Sequence, residues 1–180
     1  MVAQENAKPA RLNGYELYVM RHGVAVEHGS AGFSDDSKRP LTLEGKQKMK
    51  QITAGLVSLG FDIDWIVTSP LLRARETAEV LAEGLGVQIP VDVCEELAPG
   101  GSPEALITFL AKQAKRRRVL VVGHEPDVSA LAARLIGAGP HTNVSFRKGG
   151  CCLIVFDEFP PRTPGRLVWW ITPKLTRKMA

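Results

Sequence analysis

Apolar runs and the breaks between them divide the chain into alternating strands and helices. Residues 15–20 (YELYVM) form a short apolar-rich run suited to a strand, and it stops at Arg21-His22-Gly23. Residues 24–40 carry Gly29, Gly32, Asp35, Asp36 and Ser37 without sustained periodicity, the pattern of a long loop, and such loops in compact domains are often functional. Thr42 suits an N-cap for a helix whose apolar positions Met49, Ile52, Leu56 and Leu59 recur at three and four residues, with Gly60 placed to end it. Lys46, Lys48 and Lys50 then fall largely on its solvent side. Residues 64–68 (DWIVT) predict a second strand. Ser69-Pro70 is a preferred N-cap and N1 pair for a second helix, with Ala74, Ala78, Leu81 and Leu85 inward.

Residues 87–93 (VQIPVDV) predict a third strand that Pro90 confines to a sheet edge. Ser102-Pro103-Glu104 opens a third helix with Leu106, Phe109, Leu110 and Ala114 inward. The run Lys115, Arg116, Arg117, Arg118 closes it as a solvated end that complements the helix dipole. Residues 119–122 (VLVV) read as a strand covered on both faces, ending at Gly123-His124. A fourth helix follows, with Val128, Leu131, Ala132 and Leu135 inward and Gly137 at its end. Residues 151–156 and 167–171 supply two more strands across a turn rich in Pro160, Pro161, Pro164 and Gly165. This order favours an α/β layered fold around a mainly parallel sheet.

Residues 1–14, with Gln4, Glu5, Asn6, Lys8, Pro9 and Arg11, read as a mobile leader, and residues 15–180 as a single domain. A chain of 180 residues that is 44% hydrophobic and 23% charged belongs to the soluble folding class. Its 23 Lys and Arg against 19 Asp and Glu leave a net charge of +4, a modest field with almost no interleaving of basic and aromatic residues, so no nucleic-acid partner is expected. No apolar stretch is long enough to span a bilayer and the first residues lack an apolar targeting core, so the expectation is a cytoplasmic protein without a membrane partner. Three cysteines, Cys94 and the adjacent Cys151 and Cys152, are odd in number and lack CxxC spacing. They read as buried thiols rather than a disulfide framework or zinc site. Adjacent Trp169 and Trp170 suggest one ring in the core and the other toward solvent or a partner.

Three apolar strands end in polar residues: the first in Arg21-His22, the second in Ser69-Pro70 with Arg73 one turn on, the fourth in Gly123-His124. In an open parallel sheet, ligands bind outside the carboxyl ends of the strands. If these strands are parallel neighbours, Arg21, His22, Arg73 and His124 share one crevice, and two guanidiniums beside two imidazoles call for an anion between them. Phosphate is the natural one, because guanidinium matches its oxygens in a fork. Each residue taken alone also has an ordinary reading: a histidine at a strand end is more often structural, and an arginine more often a surface charge.

These residues resemble the histidine phosphatase superfamily, the group that includes cofactor-dependent phosphoglycerate mutases and acid phosphatases. Arg21-His22-Gly23 is similar to its signature, Ser69-Pro70-Leu71-Leu72-Arg73-Ala74 to the segment with its second arginine, and Gly123-His124 to its second histidine. Within it the sequence resembles the SixA-type phosphohistidine phosphatases. The marks are Val24-Ala25-Val26-Glu27 after the signature, Arg39-Pro40-Leu41-Thr42 with Gly45, Val67-Thr68-Ser69-Pro70 with Thr77, and Gly123-His124-Glu125-Pro126. Ala25 and Val26 stand where phytase-like members have a third arginine and a proline, and Val24 and Ala25 where mutase-like members have an acidic residue and Thr. The resemblance implies a phosphoglycerate mutase-like, three-layer α/β sandwich.

The resemblance further implies that His22 is a nucleophile carrying a covalent phosphohistidine, with Arg21, His22, Arg73 and His124 binding the phosphoryl group and no metal or other cofactor needed. Two carboxylates compete for the role of general acid. Glu96 lies where mutase-like members carry a catalytic glutamate, and Glu125 follows His124 where phytase-like members carry an aspartate; the first also reads as a loop carboxylate, the second as an ordinary helix-start residue. A labile phosphoramidate leaves more easily than an alkoxide, so a weak acid site favours phosphohistidine on a protein, such as a histidine phosphotransfer domain. A small-molecule phosphomonoesterase and a non-catalytic module that binds phosphorylated partners are the competing readings.

Overall fold

The computed structural model describes residues 14–86, 88–113, 115–139 and 142–180. Residues 1–13 of the expected leader over 1–14, and positions 87 and 114 of the expected third strand and third helix, lie outside the described residues. Six strands form one mixed sheet: β1 (Tyr15–Arg21), β2 (Trp65–Thr68), β3 (Val91–Val93), β4 (Arg118–Gly123), β5 (Cys151–Phe156) and β6 (Arg166–Ile171), in the order β3-β2-β4-β1-β5-β6. The first four in that order run parallel, and β5 and β6 add antiparallel strands beyond β1. β3 lies at the sheet edge but is shorter than the run over 87–93 that predicts it: it starts at Val91, after Pro90, and its three residues are exposed.

Helices cover both faces: α1 (Leu43–Ser58), α2 (Leu72–Gly84), α3 (Pro103–Ala111), α4 (Asp127–Leu135) and the short α5 (Pro173–Thr176). Leu106 and Leu110 of α3 and Val128, Leu131 and Leu135 of α4 pack on Leu17, Val19, Val119 and Val121. Met49, Ile52 and Leu56 of α1 and Ala74, Ala78 and Leu81 of α2 pack on Tyr18, Met20, Leu120 and Val122 from the other side. Alternate residues of the same strands serve opposite layers, which is why β1 and β4 read as continuous apolar runs. The result is a three-layer α/β sandwich. None of the described helices is long and apolar enough to cross a membrane.

Several local expectations are corrected. α2 begins at Leu72, with Leu71 at the N-cap and no side-chain cap, so Ser69-Pro70 does not cap it. α3 ends at Ala111, and the basic run lies beyond it: Arg116 donates to the Asp64 carbonyl at 2.9 Å, while Arg118 opens β4 and pairs with Asp62 and Asp64. Those charges tie β4 to the residues before β2 rather than complementing a helix dipole. Leu59 is 41% exposed because it is already the C-cap of α1. The two tryptophans divide between the faces of β6, Trp169 near Tyr18 and Trp170 stacked on Phe146, and both are half-buried. α5 has no counterpart among the elements the sequence pattern predicts; it opens at Thr172-Pro173, with Pro in its first turn as in α3 but without a side-chain cap.

Candidate active site

Register brings the strand ends together. Met20 and Thr68 both pair with Val122, and Arg21 pairs with Gly123, so β1, β2 and β4 finish side by side. The chain stays paired one residue further: the His22 amide donates to the Gly123 carbonyl and the Ser69 amide to the Val122 carbonyl, each at 3.0 Å. His22 and His124 therefore face each other with ring centroids 5.1 Å apart, 7% and 3% exposed. Arg73, in the first turn of α2, is 4% exposed, and its charge and that of Arg21 act on both imidazoles. The structure thus brings Arg21, His22, Arg73 and His124 into one buried neighbourhood.

The tautomer of His22 follows from its partner. Nδ1 lies 2.7 Å from the Gly23 carbonyl, which can only accept, so Nδ1 carries the proton and Nε2 keeps its lone pair. Burial lowers the His22 pKa from 6.5 to about 3, with His124, Arg73 and Arg21 acting in the same direction and the Gly23 bond opposing. Burial, followed by the charge of Arg73, lowers His124 to about 4. Both rings are neutral at neutral pH.

The backbone around His22 is clamped. Gly149, at φ +82°, donates to the carbonyls of Arg21 at 3.0 Å and His22 at 3.1 Å. Thr77 accepts from the Gly23 amide at 3.0 Å and donates to the Arg73 carbonyl at 2.6 Å, joining the two halves of the site through one buried hydroxyl. A Cβ on Gly23 would lie 2.8 Å from Met49 Cγ, so α1 packs here because residue 23 has no side chain.

The arginines are aimed by groups that sequence patterns did not mark. Arg21 donates to the Phe146 carbonyl at 2.8 Å; Phe146 is fixed by its stack on Trp170 at 4.0 Å and by the Glu125 carboxylate, which accepts from its amide at 2.5 Å. Arg73 donates to Asp36, which also holds Arg39 through Nε at 2.8 Å. His124 Nε2 lies 2.8 Å from Ser69 Oγ. Among the described residues four buried side-chain polar atoms have no hydrogen-bond partner, and three belong to this cluster: Arg21 Nε, Arg73 Nε and His124 Nδ1. Two are guanidinium donors, and an oxyanion would satisfy them.

The two carboxylate candidates are placed differently. Glu125 also accepts from Ser129 Oγ at 2.7 Å, so its carboxylate braces the Phe146 segment. Glu96 lines the same crevice as His124, and its carboxylate accepts from the Ser102 amide at 2.9 Å. Cys94, Cys151 and Cys152 are buried and free; burial raises all three thiols, Cys152 to about 12, and leaves them protonated.

The model of the histidine phosphatase superfamily, branch 1, matches residues 17–98. Phosphohistidine phosphatase SixA of Escherichia coli K12 is 30% identical over 88% of this chain and 94% of its own length. An uncharacterised protein of Picosynechococcus sp. strain PCC 7002 is 36% identical over 75% of this chain and 81% of its own. A solved structure of the protein histidine phosphatase SixA complexed with tungstate superposes with a TM-score of 0.75 at 27% identity, covering 89% of this chain and 98% of that one. With relatives this similar spanning nearly their whole length, the chain belongs to the histidine phosphatase superfamily, on its SixA-type branch, and is a phosphatase.

Proposed function

We propose that this phosphatase hydrolyses phosphohistidine carried on a protein, with His22 as the nucleophile and residues 15–180 as the catalytic unit. The Nε2 lone pair of His22 attacks phosphorus in line; an N–P bond forms on His22 as the N–P bond of the substrate breaks, and the substrate imidazole leaves, taking a proton from solvent water. Water then attacks the phosphorylated His22, releasing inorganic phosphate and restoring the neutral ring. The observation that carries this reading is the bond from Nδ1 of His22 to the Gly23 carbonyl, which leaves Nε2 free beside Arg21 and Arg73.

Arg21, Arg73 and His124 hold the phosphoryl oxygens and stabilise their growing charge in the transition state. The unpartnered Nε atoms supply donors for this, and the tungstate of the solved SixA is a tetrahedral oxyanion of the same geometry. Phosphohistidine as substrate is supported by the name of the Escherichia coli relative and by the carboxylates, both of which already accept hydrogen bonds within the protein. A leaving imidazole needs less help from an acid than an alkoxide does. Incubation with a phosphohistidine peptide should release phosphate and allow a phosphorylated His22 to be trapped for mass spectrometry, and His22→Ala should abolish both. Equal release by that variant, or turnover of alkyl phosphates far above that of the peptide, removes this reading.

A further inference from the structure

We propose that the surface between α1, α5 and the segment before β5, beside His22, docks an acidic face of the phosphorylated protein; this rests on the protein-phosphohistidine reading above. The crevice there is lined by Gly23 and Val24, the two residues that follow His22, over an apolar floor of Met49 and Ile52. Its cationic lining comes from Lys48, Lys148 and Arg177, three segments far apart in sequence, around a space of about 400 Å³ that includes its open mouth.

The crevice is tied to the phosphoryl site through the backbone: Gly23 and Val24 in its lining directly follow His22. Lys148 precedes Gly149, whose amide clamps the Arg21 and His22 carbonyls. Arg147 is exposed and its charge acts on Arg21, so positive charge runs from the buried cluster to the crevice. Among the described residues Arg147 and Lys148 have no salt bridge, and Arg177 donates to the Pro173 carbonyl at 3.3 Å. Lys48 pairs with Glu44, on which the charge of Arg177 also acts; the Glu44 side chain is 68% exposed, and such a surface pair at i and i+4 is weak and exchangeable, while Lys148 stands apart from it.

Cations spread over three segments match spaced carboxylates on a macromolecular surface better than one compact anion. Arg21, His22, Arg73 and His124 see only the phosphoryl group, so discrimination among phosphoproteins must come from the surroundings of His22. Complementary charge there would steer encounter and select partners more than it would add affinity.

The test uses two phosphohistidine peptides of equal length, one flanked by glutamates and one by lysines. At low salt the protein should favour the acidic peptide in kcat/KM by about tenfold, with the ratio shrinking as salt is raised. Lys148→Glu, and Lys148→Glu combined with Arg177→Glu, should bring the ratio toward one while free phosphohistidine turns over at the wild-type rate. A ratio unchanged by both variants overturns the docking face and leaves the phosphohistidine reading standing. Equal loss on free phosphohistidine would assign these cations to the small-substrate site and also overturn it. A wild-type protein inactive on every phosphohistidine substrate removes the underlying reading together with the docking face.

Discussion

Asp36 grips Arg73 along one edge of its guanidinium, its carbonyl accepting from Nη1 at 2.8 Å and its Oδ2 from Nη2 at 3.0 Å. The long loop between β1 and α1 thereby aims a residue of α2, leaving Nε buried and unpartnered. Asp36→Asn keeps the carbonyl bond and removes the charge. Hydrogen bonds to charged groups contribute about 1.5–3 kcal/mol, so kcat/KM should fall by roughly 10- to 100-fold, with KM rising as the guanidinium loses its fixed direction. Steady-state kinetics on a phosphohistidine peptide checks it, and wild-type constants would mean that Asp36 does not position Arg73.

The depressed histidines make an acid-side prediction. His22 and His124 titrate at about 3 and about 4 in the native state and at 6.5 without the fold's influence. Between those values the unfolded chain binds protons that the native chain does not, so their contribution to stability is complete above pH 6.5 and is lost progressively below it, until the native rings protonate as well. Thermal melts should therefore show Tm falling as pH drops from 6.5 toward 4, less steeply in His22→Asn. A variant with the same slope as the wild type would contradict a buried, neutral His22.

Glu125 can be assigned by comparing two substitutions. Its carboxylate accepts from Phe146 and Ser129, and Phe146 in turn holds Arg21. A glutamine oxygen accepts the same Phe146 amide, so Glu125→Gln should retain most activity while Glu125→Ala loses about tenfold or more through a misplaced Arg21. Equal inactivation by both, with loss of the pH limb of an acid, would instead make Glu125 a proton donor.

Glu96 lines a crevice with His124, whereas the Glu125 carboxylate is taken up by Phe146 and Ser129, so Glu96 is the carboxylate to test as proton donor. General acid catalysis by a positioned side chain contributes about 10²- to 10⁴-fold where the leaving group is basic. Glu96→Gln should therefore cut turnover of an alkyl phosphate by about 100-fold while changing phosphohistidine hydrolysis by less than about threefold. A parallel loss on both substrates would sink this division of labour.

Much of this molecule is legible in its linear pattern. The apolar runs at β1, β2 and β4 locate the strands, and the polar residues that end them locate Arg21, His22, Arg73 and His124, because burial on both faces and an abrupt return to polarity leave marks in consecutive residues. The breaks at Gly60 and Gly137 mark turns for the same local reason: each adopts a positive φ that glycine accepts without strain.

Strand order, and with it the placing of those residues around one point, was decided in three dimensions. β1 lies beside β4 rather than β2, and that pairing sets His22 against His124 at 5.1 Å. The supporting residues were invisible for a related reason. Asp36 on Arg73, Ser69 on His124, Glu125 and Trp170 on Phe146, and Lys148 beside Arg177 are partners across tens of residues, joined by hydrogen bonds, stacking and a shared crevice that carry no periodicity. Local pattern records whether a side chain meets water or core, whereas only the packed chain determines which other side chain it meets.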